Sequence, residues 1–171
     1  MTILIIDTST DHALIGLGGP AGVLASQALP HANQLSKILL PSIQKILPPT
    51  LDAIAIGIGP GSYTGTRVGV AAALALAFGR KIPCIPFCSL LAFLPEEEGP
   101  FSCHLAGKGE RTYLLTGNQT AQEMSYEQRF VPHAEAPKTP SPQAPNWEAL
   151  NRVLQQKWQQ KAFGSPQLIY F

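Results

Sequence analysis

Apolar and polar positions divide this chain into an orderly first half and a sparser second half. Ile3-Leu4-Ile5-Ile6 is an unbroken apolar run closed by Asp7, and the polar turn Asp7-Thr8-Ser9-Thr10-Asp11 separates it from a second run, Ala13 to Leu17. Gly18-Gly19-Pro20-Ala21-Gly22 carries a hairpin signal and Val23 to Leu29 follows it, so these segments predict an antiparallel meander of three strands. From Asn33 to Leu47 the period becomes helical: Leu35, Ile38, Leu39, Ser42, Ile43 and Ile46 share one stripe, with Lys37, Gln44 and Lys45 off it. Pro41 removes one backbone hydrogen bond inside that helix and predicts a bend, and Pro48-Pro49 ends it. Leu51 to Ile58 then reads as a buried strand, and Ile82 to Phe87 as a further one.

Between those two strands lies the sequence Gly57-Ile58-Gly59-Pro60-Gly61-Ser62-Tyr63-Thr64-Gly65-Thr66-Arg67-Val68-Gly69. Its glycines permit a sharp turn and the close approach of another backbone or a ligand. Ser62 and Thr64 are placed to cap the helix that follows. The turn is either structural or a phosphate cradle of N–H groups at a helix N-terminus. It lacks the Lys of a P-loop and the last glycine of the dinucleotide pattern. The helix from about Thr66 to Gly79 is apolar all round. Val70, Leu74, Ala77 and Phe78 fall on one side, and Val68, Ala72, Ala75 and Leu76 on another. Such a helix predicts burial on every side, either between two lobes of one chain or between subunits.

The second half carries weaker signals. Pro95-Glu96-Glu97-Glu98-Gly99-Pro100 reads as a charged surface loop, and Phe101–Leu105 and Thr112–Leu115 are strand candidates around Gly107-Lys108-Gly109. Five prolines between Pro132 and Pro145 predict an extended linker. Asn146 can cap a helix from Trp147 to about Gln160, with Leu150, Val153, Leu154 and Trp158 on its apolar stripe, and Leu168 to Phe171 reads as a short terminal strand. These elements predict an α/β chain, with either one sizeable core or two small lobes.

Charged residues make up 13% of the 171, well below the usual ~25%, so part of the surface is expected to be covered by a partner. A net charge of +1 without a Lys/Arg cluster argues against independent nucleic-acid binding. The N-terminus lacks the basic region of a signal peptide, and the longest apolar run, Val68 to Phe78, is too short to cross a bilayer. Cys84, Cys88 and Cys103 have no CxxC spacing and fit reduced, buried thiols in a cytoplasmic protein. His12, His31, His104 and His133 form no metal-binding pattern, so neither a metal nor another cofactor is expected. No catalytic set stands out, because no G-x-S-x-G elbow is present. Asp7, Thr8 and Ser9 could orient a metal-bound water or line a phosphate; the other reading is an Asx/ST turn that satisfies backbone donors. Tyr63 could stack on a planar ligand or pack on the sheet edge.

Three segments together resemble the TsaB (YeaZ) family: Ile3 to Thr10, His31 to Leu47 with Leu40-Pro41-Ser42-Ile43, and Ile56 to Gly69. The resemblance covers about residues 1–95. It implies an actin-like (ASKHA) fold whose N-terminal lobe, residues 1–95, is ribonuclease-H-like and whose second lobe, residues 96–171, is shortened here. The family's Asp-Ala-Arg motif followed by Glu-Val-Tyr appears as Ala106-Gly107-Lys108 with Arg111-Thr112-Tyr113 after it. The resemblance also implies a non-catalytic cytoplasmic subunit in the formation of threonylcarbamoyladenosine on tRNA. Its partners would be a TsaD-type catalytic subunit, a TsaE-type ATPase reached through that pair and, for the isolated chain, a second copy, with tRNA met only indirectly. Leu35, Ile38, Leu39, Ser42, Ile46, Val70, Leu74 and Phe78 are the expected partner surface. Asp7, Thr8, Ser9, Gly59, Gly61, Ser62, Gly65 and Arg67 form a degenerate nucleotide site or a structural turn. The competing reading is an ATP-dependent phosphotransferase or hydrolase of the same fold, using Asp7 and the Gly59–Gly65 turn.

Overall fold

The computed structural model describes residues 1–30, 34–107, 110–120, 123–137 and 144–169. The expected meander forms from β1 (Ile3–Asp7), β2 (Leu14–Gly19) and β3 (Gly22–Ala28), and β4 (Ala53–Gly57) and β5 (Cys84–Phe87) complete a five-stranded sheet of order β3-β2-β1-β4-β5. β1 pairs antiparallel with β2 (Ile5 opposite Gly16) and parallel with β4 (Ile5 opposite Ala55), while β4 and β5 are parallel. The two parallel connections run through helices, since parallel strands need a crossover rather than a tight turn: α1 (Leu35–Ile46), which continues through Pro41, and α2 (Tyr63–Arg80).

The strand pleat sorts side chains to two cores. Leu4, Ile6, Ile54 and Ile56 point to the face covered by α1 and α2, where Leu35, Leu39, Ile43, Val70, Ala73 and Ala77 meet them. Ile3, Ile5, Ala53 and Ala55 point the other way, into a core completed by the second half of the chain. That half contains a short 3-10 turn (Ser89–Phe93), the antiparallel strands β6 (Gly99–Ala106), β7 (Arg111–Gln119) and β8 (Met124–Pro132) in a separate sheet of that order, and α3 (Trp147–Gln159).

Three expectations need correction. α2 does not sit between two lobes or vanish into the core; it lies beside α1 on one face of the five-stranded sheet, and its far side is open to solvent. The proline-rich stretch does not begin as a linker, because Pro132 ends β8 and His133–Glu135 forms a 3-10 turn; residues 138–143 lie outside the described residues. The tail at Leu168 and Ile169 is not a strand, and Tyr170 and Phe171 lie outside the described residues, as do His31, Lys108 and Gly109. β8 was not expected. One of its faces carries Met124, Tyr126, Gln128 and Phe130, of which Met124 and Tyr126 pack on the core, and Gln128 interrupts the apolar pattern; its side-chain carbonyl accepts the Tyr113 hydroxyl at 2.5 Å.

α3 begins as expected, with the Asn146 Oδ1 accepting the Ala149 N–H at 3.0 Å. It is seated against the β2–β3 hairpin, where the absence of side chains makes room. Trp147 rings occupy the space beside Gly16, and the Asn151 amide fills that beside Gly18. Asn151 is buried and donates to the Gly19 carbonyl at 3.0 Å. Asn151→Ala strands that carbonyl and should cost about 1–3 kcal/mol in denaturant unfolding. Gly18→Ala should also destabilise, because its methyl would overlap the amide, and the double variant should lose less than the sum of the two single variants.

Candidate functional site

The carboxyl end of β1 delivers Asp7 against Gly57 at the end of β4, where a Cβ would overlap its carboxylate. Asp7 is 2% exposed. Its Oδ1 accepts the Ser9 N–H at 2.9 Å and the Ser9 hydroxyl at 2.6 Å, the hydrogen bonds of an Asx turn. Ser9 Oγ also lies 2.6 Å from Ser89 Oγ, which accepts the Gly59 N–H at 3.1 Å. One hydroxyl carries one proton. A single direction therefore satisfies the whole chain: Gly59 N–H to Ser89, Ser89 O–H to Ser9, Ser9 O–H to Asp7. Asp7 Oδ2 is buried and, among the described residues, without a hydrogen-bond partner. Loss of hydration raises the Asp7 pKa from its ordinary 3.8, against the lowering effect of the Ser9 hydrogen bonds and the nearby Ser89 hydroxyl. Ser89 was missed in the sequence, since nothing local marks a serine after β5 as the partner of the β1 loop.

The glycine turn docks directly on that loop. Gly61 (φ +155°) has no room for a Cβ because the Ser9 carbonyl occupies it, and the Ser62 N–H donates to that carbonyl at 2.5 Å. Thr8 Oγ1 donates to the Gly65 carbonyl at 2.6 Å. Ser62, rather than Thr64, caps α2, accepting the Gly65 N–H at 3.2 Å. The Arg67 guanidinium stacks 3.7 Å over the Tyr63 ring. The N–H groups of Gly59, Ser62 and Gly65 are thus directed at the chain itself, whereas a phosphate cradle would direct them outward.

Beside this junction, where α1 and α2 begin, a cavity of about 430 Å³ is lined by Thr8, Thr10, Asp11, Ser36, Ser62 and Thr64 among others. Among the described residues no group of three or more His, Cys, Asp or Glu could hold a metal. The three thiols are buried. Burial pushes Cys88 up to about 12 and Cys103 to about 11, so both stay protonated and unreactive near neutrality. Among the described residues no helix is long and apolar enough to cross a membrane.

Packing divides the expected partner surface. Leu35, Leu39, Ser42 and Val70 are buried within the chain's own core, and Ile38 and Ile46 are half-buried. Leu74 and Phe78 point outward, 41% and 87% exposed, in line with exposed Ala71 and Ala75 at helical spacing. Leu40 of α1 is exposed as well. The periodicity of Gly65, Gly69, Ala73 and Ala77 is the signal that distinguishes the two sides of α2. These small residues all face the sheet, which leaves the large side chains of the next stripe outside.

This architecture has relatives. The family described as TsaD, tRNA N6-adenosine threonylcarbamoyltransferase, matches residues 21–164. The chain belongs to this family, in its TsaB (YeaZ) group. The tRNA threonylcarbamoyladenosine biosynthesis protein TsaB of Haemophilus influenzae is 37% identical over 117 residues, 62% of this chain and 46% of that protein. The protein of the same description from Escherichia coli is 36% identical over 97 residues, covering 53% and 42%. The chain thus spans less than half the length of the relatives it matches. YeaZ from Pseudomonas aeruginosa superposes with a TM-score of 0.83 over 99% of both chains at 19% identity, a likeness of fold. The fold is the actin-like one of this family.

Two expectations follow from the junction. Asp7 binds its proton more tightly in the folded than in the unfolded chain. Its contribution to stability therefore falls as pH rises from the unfolded carboxyl value toward the raised folded one. Asp7→Asn keeps the Oδ1 acceptor and cannot ionise. Its stability relative to the unmodified chain should improve by about 1.4 kcal/mol per pH unit within that window and hold level above it. Denaturant unfolding at a series of pH values reads this, and a pH-independent difference would count against it. Gly61→Ala should destabilise measurably in the same assay, through both overlap with Ser9 and its positive φ.

Proposed function

We propose that the chain is a non-catalytic subunit in the formation of N6-threonylcarbamoyladenosine at position 37 of ANN-decoding tRNAs, binding and supporting a TsaD-type catalytic subunit. The observation that carries this reading is the outward stripe of α2. Among the described residues nothing covers the apolar helix face of Ala71, Leu74, Ala75 and Phe78, although the opposite face is packed on the sheet. Transfer of a Leu or Phe side chain from water into an interface contributes about 1.5–3 kcal/mol, and a few such side chains dominate interfaces of this kind. Arg67 and Tyr63, one turn before the stripe, supply a stacked cation–aromatic pair at its rim.

The inward-directed donors of the glycine turn support a structural role for Asp7, Thr8, Ser9, Gly59, Gly61, Ser62, Gly65 and Arg67 over a nucleotide site. A TsaE-type ATPase would then act through the pair, and tRNA would be met by the catalytic subunit. In isolation the same stripe offers a contact for a second copy.

Leu74→Glu and Phe78→Glu should each weaken binding to a co-expressed TsaD-type protein by about tenfold or more, since a carboxylate would be buried unpaired, with circular dichroism unchanged. Normal complex formation by both folded variants would overturn the surface. Tight calorimetric binding of Mg-ATP by the isolated chain would instead favour the phosphotransferase reading.

A further inference from the structure

Beyond α3 the chain turns back on itself. Lys161 adopts a left-handed conformation, the Ala162 N–H donates to the Lys157 carbonyl at 2.8 Å, and Phe163 packs edge-on to Trp158 with ring centres 5.1 Å apart. From there residues 164–169 lead to the glycine turn. Gly164 N–H donates to the Cys84 carbonyl at 3.4 Å, and Ile169 N–H to the Ile58 carbonyl at 2.8 Å. Leu168 joins the core beneath α1 and α2, whereas Ile169 joins the core on the opposite side of the sheet. Gly59, at φ +94°, has the Ile169 carbonyl where its Cβ would stand. The amide of that same Gly59 starts the hydrogen-bond chain through Ser89 and Ser9 to Asp7.

We propose that residues 164–169 are a clasp that holds the glycine turn closed on the β1 loop and thereby fixes the start of α2. The bond from Ile169 falls on the residue immediately before Gly59, and Leu168 and Ile169 anchor the segment in both cores, so release of the clasp frees the turn from one side. The inference does not rest on the partner reading, because it concerns the free chain alone.

Amide exchange by NMR on the unmodified full chain tests it first. The amides of Ile169, Gly59 and Ser62 should open together, with matching protection. Free exchange at Ile169 alongside a protected Gly59 overturns the proposal. Ile169→Pro removes the donor and should speed exchange at Gly59 and Ser62 by about tenfold or more, with Leu150 and Val153 of α3 unchanged. Ile169→Ala retains the N–H and should loosen the turn less. Unchanged exchange at Gly59 and Ser62 in Ile169→Pro, equal loosening by both variants, or a uniform rise across the whole chain overturns the clasp.

Discussion

The contact on which the α1/α2 side of this molecule depends is the seat of the glycine turn on the loop after β1. Two irregular backbones approach there more closely than side chains allow, and the approach is held by the Ser62 N–H on the Ser9 carbonyl and by Thr8 on Gly65. A buried carboxyl with one oxygen unpartnered among the described residues lies beneath the junction. Such a group costs stability, and the fold tolerates it because Oδ1 organises Ser9, Ser89 and, through them, Gly59. The helix that carries the exposed apolar stripe begins at this junction. Its direction is therefore set by buried polar groups rather than by its own weakly sided sequence.

Local rules made much of the first half legible. Asp7 ends β1, Asn146 caps α3, and the hairpin at Gly18–Gly22 forms where its residues place it. What escaped were features decided at long range. β8 was hidden because Gln128 breaks the alternation, and its partner Tyr113 lies on the neighbouring strand. The glycine turn announced close approaches without saying by what, and the approaching groups are the carbonyls of Ser9 and Ile169. α2 misled because its apolar residues lie on every side, and only the spacing of the small residues Gly65, Gly69, Ala73 and Ala77 marks the side that meets the sheet. Four of the partner-surface residues proved to be core for the same reason: an amphipathic stripe identifies a buried face, not whether another chain buries it.

The family relationship and the packing bear on one another. An actin-like architecture places a turn and a helix start at the ends of β1 and β4, where members of a fold can carry different chemistries. Here Thr8, Ser9, Ser62, Ser89 and the amides of Gly59 and Gly65 are bonded to one another's loops. The exposed apolar surface, Leu74 and Phe78, lies on the opposite side of α2, facing away from the sheet.

The hairpin's glycines have a consequence for how the chain is made. β2 and β3 present α3 with bare backbone, and the Asn151 amide that closes on Gly19 stands 132 positions later in sequence. As the chain leaves the ribosome, the first five strands can pair and accept α1 and α2. One side of that sheet, with Ile3, Ile5 and Leu14, is covered only by later segments, first the 3-10 turn, β6 and β7 and then α3. The N-terminal half is thus made as a sheet with one apolar side exposed, the transient kind of surface that invites aggregation before the rest of a chain is synthesised.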